Sequence, residues 1–264
     1  MEEDFWYART ILLLGNDKIE ILEKSHVLIV GLGGVGAYVA EQLCRAGIGK
    51  MTIVDGDTVH ASNRNRQIGA LISNEGKLKS EVIASRLRDI NPEIQLEVIS
   101  EYIKDQRLVD IIKKTPYDYV VDAIDTLSPK IYLISTAIHS GLKLISSMGS
   151  GGKTDPSQVH IADISQTHIC PLADILRKKI HKLGIYSGFK TVFSTEQIPK
   201  HATILNDNEP NKKTTIGTIS YMPAIFGCII ASVVIRELLG ENIESDFHIP
   251  HSVRRKIKQK AQDK

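Results

Sequence analysis

The chain has 264 residues, a formal net charge of +2, and 42% hydrophobic against 24% charged residues, an ordinary profile with apolar content for one large domain or one and a half. Its opening stretch, MEEDFWYART, is acidic and mixed, so no secretory leader is expected. Cys44, Cys170 and Cys228 form no C-x-x-C pair, which excludes a paired-thiol structural zinc site and suits a reducing cytoplasm.

Residues 9–23 read as a short helix, a Gly-Asn turn and a second helix. VLIV (27–30) is a short apolar run of the kind that forms a buried parallel strand. Val35, Val39 and Leu43 then recur at helical spacing. MTIVD (51–55) is a second strand, and a helix over about 77–90 ends at Asn91-Pro92. LEVIS (96–100) is a third strand, 105–114 a helix, YDYVVDAID (117–125) carries a fourth strand, 128–140 is a helix and KLISS (143–147) a fifth strand. This alternation predicts an α/β fold, a Rossmann-like doubly wound, mainly parallel sheet. After the turn-rich GSGGKTDP, VHIADIS (159–165) alternates as an antiparallel or edge strand would, so an antiparallel extension is expected in the second half. Residues 194–216 have no clear period and read as a mobile loop over the site. YMPAIFGCIIASVVIRELL (221–239) is shorter than a bilayer span of roughly 20 apolar residues and is cut by Arg236 and Glu237. A buried helix is favoured there over membrane attachment.

The G-L-G-G-V-G run lies between the first strand and its helix. Gly31 permits the tight turn, Gly33 lets backbone approach a phosphate, and Gly36 allows close helix–strand packing. Asp55, at the end of the second strand, suits ribose hydroxyls. Alone, this fingerprint leaves open a nicotinamide or flavin oxidoreductase. The residues that follow, D-G-D-T-V-H-A-S-N-R-N-R-Q (55–67), add acids, an asparagine and arginines that a dehydrogenase has little use for. A triphosphate attacked at its α-phosphorus needs several fixed cationic donors. Lys79 in GKLKSE and Asp125 at the carboxyl end of the fourth strand complete that set. An acid at this sheet edge suits Mg²⁺, which takes one or two carboxylates plus phosphate oxygens.

G-L-G-G-V-G, D-x-D-x-V-x-x-S-N-x-x-R-Q, G-K-L-K and D-A-I-D, in this order, resemble the ubiquitin-activating-enzyme-like (ThiF/MoeB/HesA) adenylating superfamily. SMGSGGKTDPSQVHIADIS (147–165), C-P-L-A-D-I-L-R (170–177) and V-F-S-T-E (192–196) resemble its tRNA threonylcarbamoyladenosine dehydratase branch. The resemblance implies ATP as cofactor, with Gly31, Gly33, Gly34, Gly36, Asp55, Asp57 and Lys130 around it. It implies that Asn63, Arg66 and Lys79 hold the triphosphate, that Asp125 is linked to Mg²⁺, and that Arg9 reaches across a homodimer into the partner's site. Arg64 has only a supporting electrostatic role. The implied reaction is ATP-dependent activation of the threonyl carboxylate beside the anticodon of a tRNA, then ring closure with net loss of water. On this reading 1–24 is an N-terminal helical segment, 25–150 the ATP-binding half, 151–245 the substrate and dimerisation half of the same domain, and 246–264 a basic tail.

Three other functions compete: adenylation of the Gly-Gly end of a ubiquitin-like sulfur carrier, an NAD-dependent oxidoreductase, and a non-catalytic nucleotide sensor. The missing C-x-x-C pairs count against the first. Cys170, in HICPLAD, reads as an exposed loop thiol, with a thioester-forming or sulfur-accepting role as the alternative. A cysteine-desulfurase partner and a monovalent cation (K⁺ or Na⁺) stay open. Cys44 and Cys228 read as packing residues in apolar helices, and the six basic residues of 254–264 are a solvated tail or a contact for tRNA phosphates.

Overall fold

A computed structural model describes residues 6–103, 105–205 and 214–244; the basic tail at 246–264 lies outside the described residues. The short apolar runs become strands because their side chains alternate between two buried faces. These are β1 (His26–Val30), β2 (Lys50–Val54), β3 (Gln95–Ile99), β4 (Tyr119–Asp122), β5 (Leu144–Ser147), β6 (Val159–Asp163) and β7 (Lys190–Ser194). They form one sheet in the order β3-β2-β1-β4-β5-β7-β6. All neighbours are parallel except β6 with β7, so β6 is the antiparallel edge that its alternation predicted.

Helices α1 (Ala8–Leu14), α2 (Asn16–Lys24), α3 (Gly36–Arg45), α4 (Lys79–Ile90), α5 (Asp105–Lys114), α6 (Leu127–His139), α7 (Pro171–Ile180) and α8 (Tyr221–Leu238) complete the described fold. Val27 and Ile29 of β1 enter a core with Leu22, Val39, Leu43, Ile83, Phe226 and Ile230, supplied by α2, α3, α4 and α8. Leu28 and Val30 enter the other core, with Leu108, Ile111, Leu133, Ile134, Leu176 and Ile180 from α5, α6 and α7. The result is a doubly wound three-layer α/β fold.

The strand order reverses between β1 and β4, which places the loops after these two strands side by side at the carboxyl edge. In open α/β sheets this switch point is where ligands bind.

Two elements went unseen in the sequence. C-P-L-A-D-I-L-R opens α7, with Pro171 at its first position, and K-T-V-F-S is β7, inserted between β5 and β6. The segment 194–216, expected as a loop, contains a hairpin of β8 (Thr203–Leu205) and β9 (Thr214–Ile216). The helix expected at 221–239 is α8. It has 18 residues and a mean hydropathy of 1.6, enough by length and composition to cross a membrane. It packs as a core helix, with Gly227 so close to α3 that a β-carbon would lie 2.7 Å from the Val35 oxygen.

Two cysteine expectations are corrected. Cys170 is buried (3% exposed), because α7 begins on it and draws it into the core beside Phe193 and Leu176. Cys228 is exposed, because it sits on the outer face of α8, whereas Cys44 is buried as expected.

Candidate active site

Gly31 adopts a left-handed φ of +92°, and a β-carbon there would lie 2.8 Å from the Ala123 carbonyl oxygen of the loop after β4. At Gly36 the added carbon would sit 1.8 Å from the Gly31 oxygen. The first glycine of the motif therefore turns the chain, and the last lets α3 start directly against it. Gly33 is different: its nearest neighbour is Gln67 Nε2 at 3.8 Å, so space lies open above that peptide. Gly34 abuts Pro223 of α8.

Asp55 ties this turn to the end of β2. One carboxylate oxygen accepts the Leu32 N–H at 2.6 Å and the other the Asp57 N–H at 2.8 Å. Burial pushes its pKa up, and these hydrogen bonds and the Lys79 charge only partly oppose that.

Lys79 begins α4 and is 7% exposed. A short ladder puts it there: Val59 N–H donates to Lys77 O, and Lys79 N–H donates to Asp57 O at 2.9 Å. Its ammonium then lies 2.8 Å from Asp57 Oδ2. Tyr102 donates its hydroxyl to the other oxygen of Asp57. Burial alone would raise the Asp57 pKa, but the Lys79 and Tyr102 hydrogen bonds outweigh it and hold the carboxyl below its ordinary value.

Asn63 is 8% exposed and organises the S-N-R-N-R-Q turn. Its side-chain oxygen accepts the His60 N–H, and its carbonyl accepts the Arg66 and Gln67 N–H groups. Arg66 is half-buried and donates to Ser62 O at 2.9 Å and to Asn65 Oδ1 at 2.8 Å. Arg64 is exposed, consistent with a lesser role. Asp125 is exposed in the loop between β4 and α6, one residue beyond the Ile124 peptide that faces Gly31.

One expected cofactor-binding residue is placed elsewhere. Lys130 is 0% exposed and forms a 2.7 Å ion pair with Asp122, also 0% exposed. Its ammonium is turned inward, onto Asp122 and the Ile124 carbonyl. Arg9 is exposed on α1, the segment expected to act on a partner protomer.

A groove of about 610 Å³ lies at the opposite, amino edge of the sheet, among Lys143, Asp163, Lys190 and Glu237. Its charged groups have partners within the fold: Glu237 accepts from Lys190 and Tyr119, Asp163 accepts from Ser165 and the Gly188 N–H, and Lys143 donates to the Glu237 carbonyl. A hollow of about 10 Å³ lies beside the glycine turn, lined by Leu32, Gln67 and Lys79. It sits at the carboxyl edge of the sheet, where open α/β folds bind ligands and a helix N-terminus favours an anion.

The ThiF family profile matches residues 7–262, nearly the whole chain. The chain belongs to the ThiF family. It is 35% identical over 242 residues to the tRNA threonylcarbamoyladenosine dehydratase of Bacillus subtilis, covering 89% of this chain and 95% of that protein. The Escherichia coli dehydratase is 32% identical over 258 residues, with 90% and 96% covered. The crystal structure of the Escherichia coli enzyme, TcdA, in complex with ATP superposes with a TM-score of 0.81 at 33% identity, covering 89% of this chain and 94% of that one. The sulfur carrier protein ThiS adenylyltransferase of Escherichia coli is 35% identical, but over only 58% of this chain.

Some contacts of this ThiF-family site escape a sequence reading. Asn65 Nδ2 donates to Thr218 O at 2.9 Å, which ties the arginine turn to the base of the β8–β9 hairpin. Glu196, in V-F-S-T-E, accepts the Thr154 and Asp155 N–H groups, and Lys153 donates to its carbonyl. Lys153 is 2% exposed, and burial lowers its pKa. Two second-half motifs are thereby joined into one loop. No group of three or more His, Cys, Asp or Glu that could hold a metal occurs among the described residues. Among the described residues there is no metal cage, and the exposed carboxylate of Asp125 fits an ion such as Mg²⁺ that would be held jointly by protein and phosphate oxygens.

Proposed function

We propose that this protein is an ATP-dependent tRNA threonylcarbamoyladenosine dehydratase. The observation that carries the reading is the extent of the likeness. Dehydratases align over about nine-tenths of the chain, including the second half, whereas the sulfur-carrier adenylyltransferases align over little more than half.

In the first step a threonyl carboxylate oxygen of the modified adenosine attacks the α-phosphorus of ATP. A mixed carboxylic–phosphoric anhydride, the acyl-adenylate, forms, and the bond from the α-phosphorus to the bridging oxygen breaks to release pyrophosphate. Lys79 and Arg66 hold the growing negative charge, with Asn63 fixing the turn that carries Arg66. Asp55 and the open peptide at Gly33 seat ribose and phosphate. Asp125 would hold Mg²⁺ with the phosphates, where the ion neutralises charge. In the second step a nucleophilic atom of the same nucleoside attacks the acyl carbon, expels AMP, loses its proton and closes the ring. Nucleophile and acyl group share one nucleoside, so the step is effectively intramolecular and needs no nucleophile from the protein. Arg9 of a second copy in a homodimer completes the phosphate site.

The test is incubation with ATP, Mg²⁺ and tRNA carrying the threonylcarbamoyl group, with AMP and the nucleoside mass as readouts. Loss of one water from the nucleoside with AMP release is expected. AMP formation only when a Gly-Gly-ended carrier protein is added would overturn the reading in favour of sulfur-carrier activation.

A further inference from the structure

A lysine–aspartate pair at 0% exposure is an expensive feature. Each ion costs several kcal/mol to desolvate, and the cost is recovered only if the remaining donors and lone pairs are satisfied with good geometry. For Lys130 and Asp122 the unused valences converge on one residue. Asp122 Oδ2 takes Lys130 Nζ at 2.7 Å and the Ser146 hydroxyl at 2.6 Å. Its Oδ1 accepts the N–H of Ile124 at 3.1 Å. Lys130 Nζ donates to the carbonyl of the same Ile124 at 2.9 Å. Both backbone groups of Ile124 are thus gripped by the two ends of a single buried ion pair.

The neighbours of Ile124 give that grip its consequence. On one side the Ala123 N–H donates to Val30 O at 2.9 Å, and the Ala123 carbonyl is the surface against which Gly31 turns. On the other side stands Asp125, followed by the entry to α6. The N-cap of that helix, Thr126, makes no side-chain capping bond, so no cap sets the loop. Lys130 lies in the first turns of the helix and reaches back to do so.

We propose that the Lys130–Asp122 pair is a clamp on the Ile124 peptide, and that it positions both Asp125 and the floor of the glycine turn. Lys130 is then a positioning residue that never touches ATP. This rests on the reading of Asp125 as the acid that serves the triphosphate.

Two measurements on the full chain test it. The first is amide exchange of Ile124 in the unaltered protein, followed by NMR. A clamped peptide exchanges about 10³-fold or more slowly than a free one, as buried core amides do; exchange within about 10-fold of an unprotected loop amide overturns the clamp. The second uses the double variant Lys130→Met with Asp122→Leu, which replaces the ion pair by apolar volume, a change that is often neutral or stabilising. The folded variant should lose the Ile124 protection and need about 10- to 100-fold more Mg²⁺ to half-saturate AMP formation, the scale seen when the support of a metal ligand is removed. A folded variant with unchanged exchange and unchanged Mg²⁺ dependence overturns the proposal. If the double variant does not fold, the exchange measurement on the unaltered protein decides alone. Failure of the underlying reading looks different: Asp125→Ala would then form AMP normally, while Ile124 stays protected.

Discussion

Alanine at Gly36 perturbs the nucleotide loop where it is tightest. The added carbon would lie 1.8 Å from the Gly31 oxygen and 3.0 Å from the Ala123 β-carbon. The start of α3 must retreat from the oxygen by more than about 1 Å to reach van der Waals separation. It is held from behind, since Gly227 of α8 packs against Tyr38 and Val35. Overpacking of this kind costs about 1–3 kcal/mol. For a chain of this size each kcal/mol is worth about 2–4 °C, so the melting temperature should fall by about 2–12 °C. The peptides that face the phosphates shift by a similar distance, and a 1 Å misplacement costs about 10²-fold in activity. Gly33→Ala is the matched control: nothing lies nearer than 3.8 Å from its added carbon. Thermal melts with and without ATP read both effects, because a ligand that binds only the folded state raises the midpoint. Gly36→Ala should lower the midpoint of the free protein and abolish the ATP-induced rise. Gly33→Ala should keep the free midpoint and lose the rise, since its methyl occupies the phosphate's space. A Gly36→Ala protein with the unaltered midpoint and a full ATP-induced rise would refute the packing argument.

Arg66→Ala should cut AMP formation by about 10²-fold or more with little change in melting temperature, and Arg64→Ala by only a few-fold; equal losses would show that the half-buried position of Arg66 has no special role. Lys79→Met should destabilise the protein at neutral pH by leaving Asp57 without its cation. The Asp57 carboxyl is held below its ordinary value in the folded state, so the advantage of the unaltered protein is complete above the unfolded value of about 3.9 and fades as pH falls below it. Denaturant melts of both proteins from pH 7 to pH 2.5 measure this, and a gap that widens on acidification would contradict the pairing. Arg9→Ala and Asp125→Ala protomers, each inactive alone, should recover AMP formation when mixed if Arg9 acts across a dimer; verified heterodimers with no recovery would remove Arg9 from the site.

The parts of this molecule that were readable in the sequence are those whose causes are local. β1, α3, β2 and α4 follow from runs and periods within a few residues, and the Gly31–Gly36 spacing names its own turn. β7 was missed for a physical reason. K-T-V-F-S mixes polar and apolar residues because Thr191 and Ser194 are buried at 0% exposure with their hydroxyls satisfied, Thr191 donating to Ala162 O and Ser194 accepting the Glu196 N–H. A short buried strand with satisfied hydroxyls looks like a loop until its neighbours are known. Cys170 failed in a related way: its local sequence gave it a surface, and long-range packing under α7 took it away. Lys130 was placed near ATP by resemblance alone, and its pairing with Asp122 on the strand before its own helix is a contact its sequence neighbours do not announce.

The same distinction separates the residue types after Asp55 from their arrangement. Asn63, Arg66 and Lys79 stand out by type and order, and phosphate roles for them are part of the proposal. Their geometry depends on contacts the order does not encode. Asp57 and Lys79 meet through a ladder between residues 57–59 and 76–79, and Arg66 is steadied by Asn65, itself tied to Thr218. This last link joins the arginine turn to the residues that follow β9 in the second half of the chain. A change at Thr218 that moves its carbonyl should therefore be felt at Arg66 through Asn65, which lies 153 residues away from Thr218 in sequence.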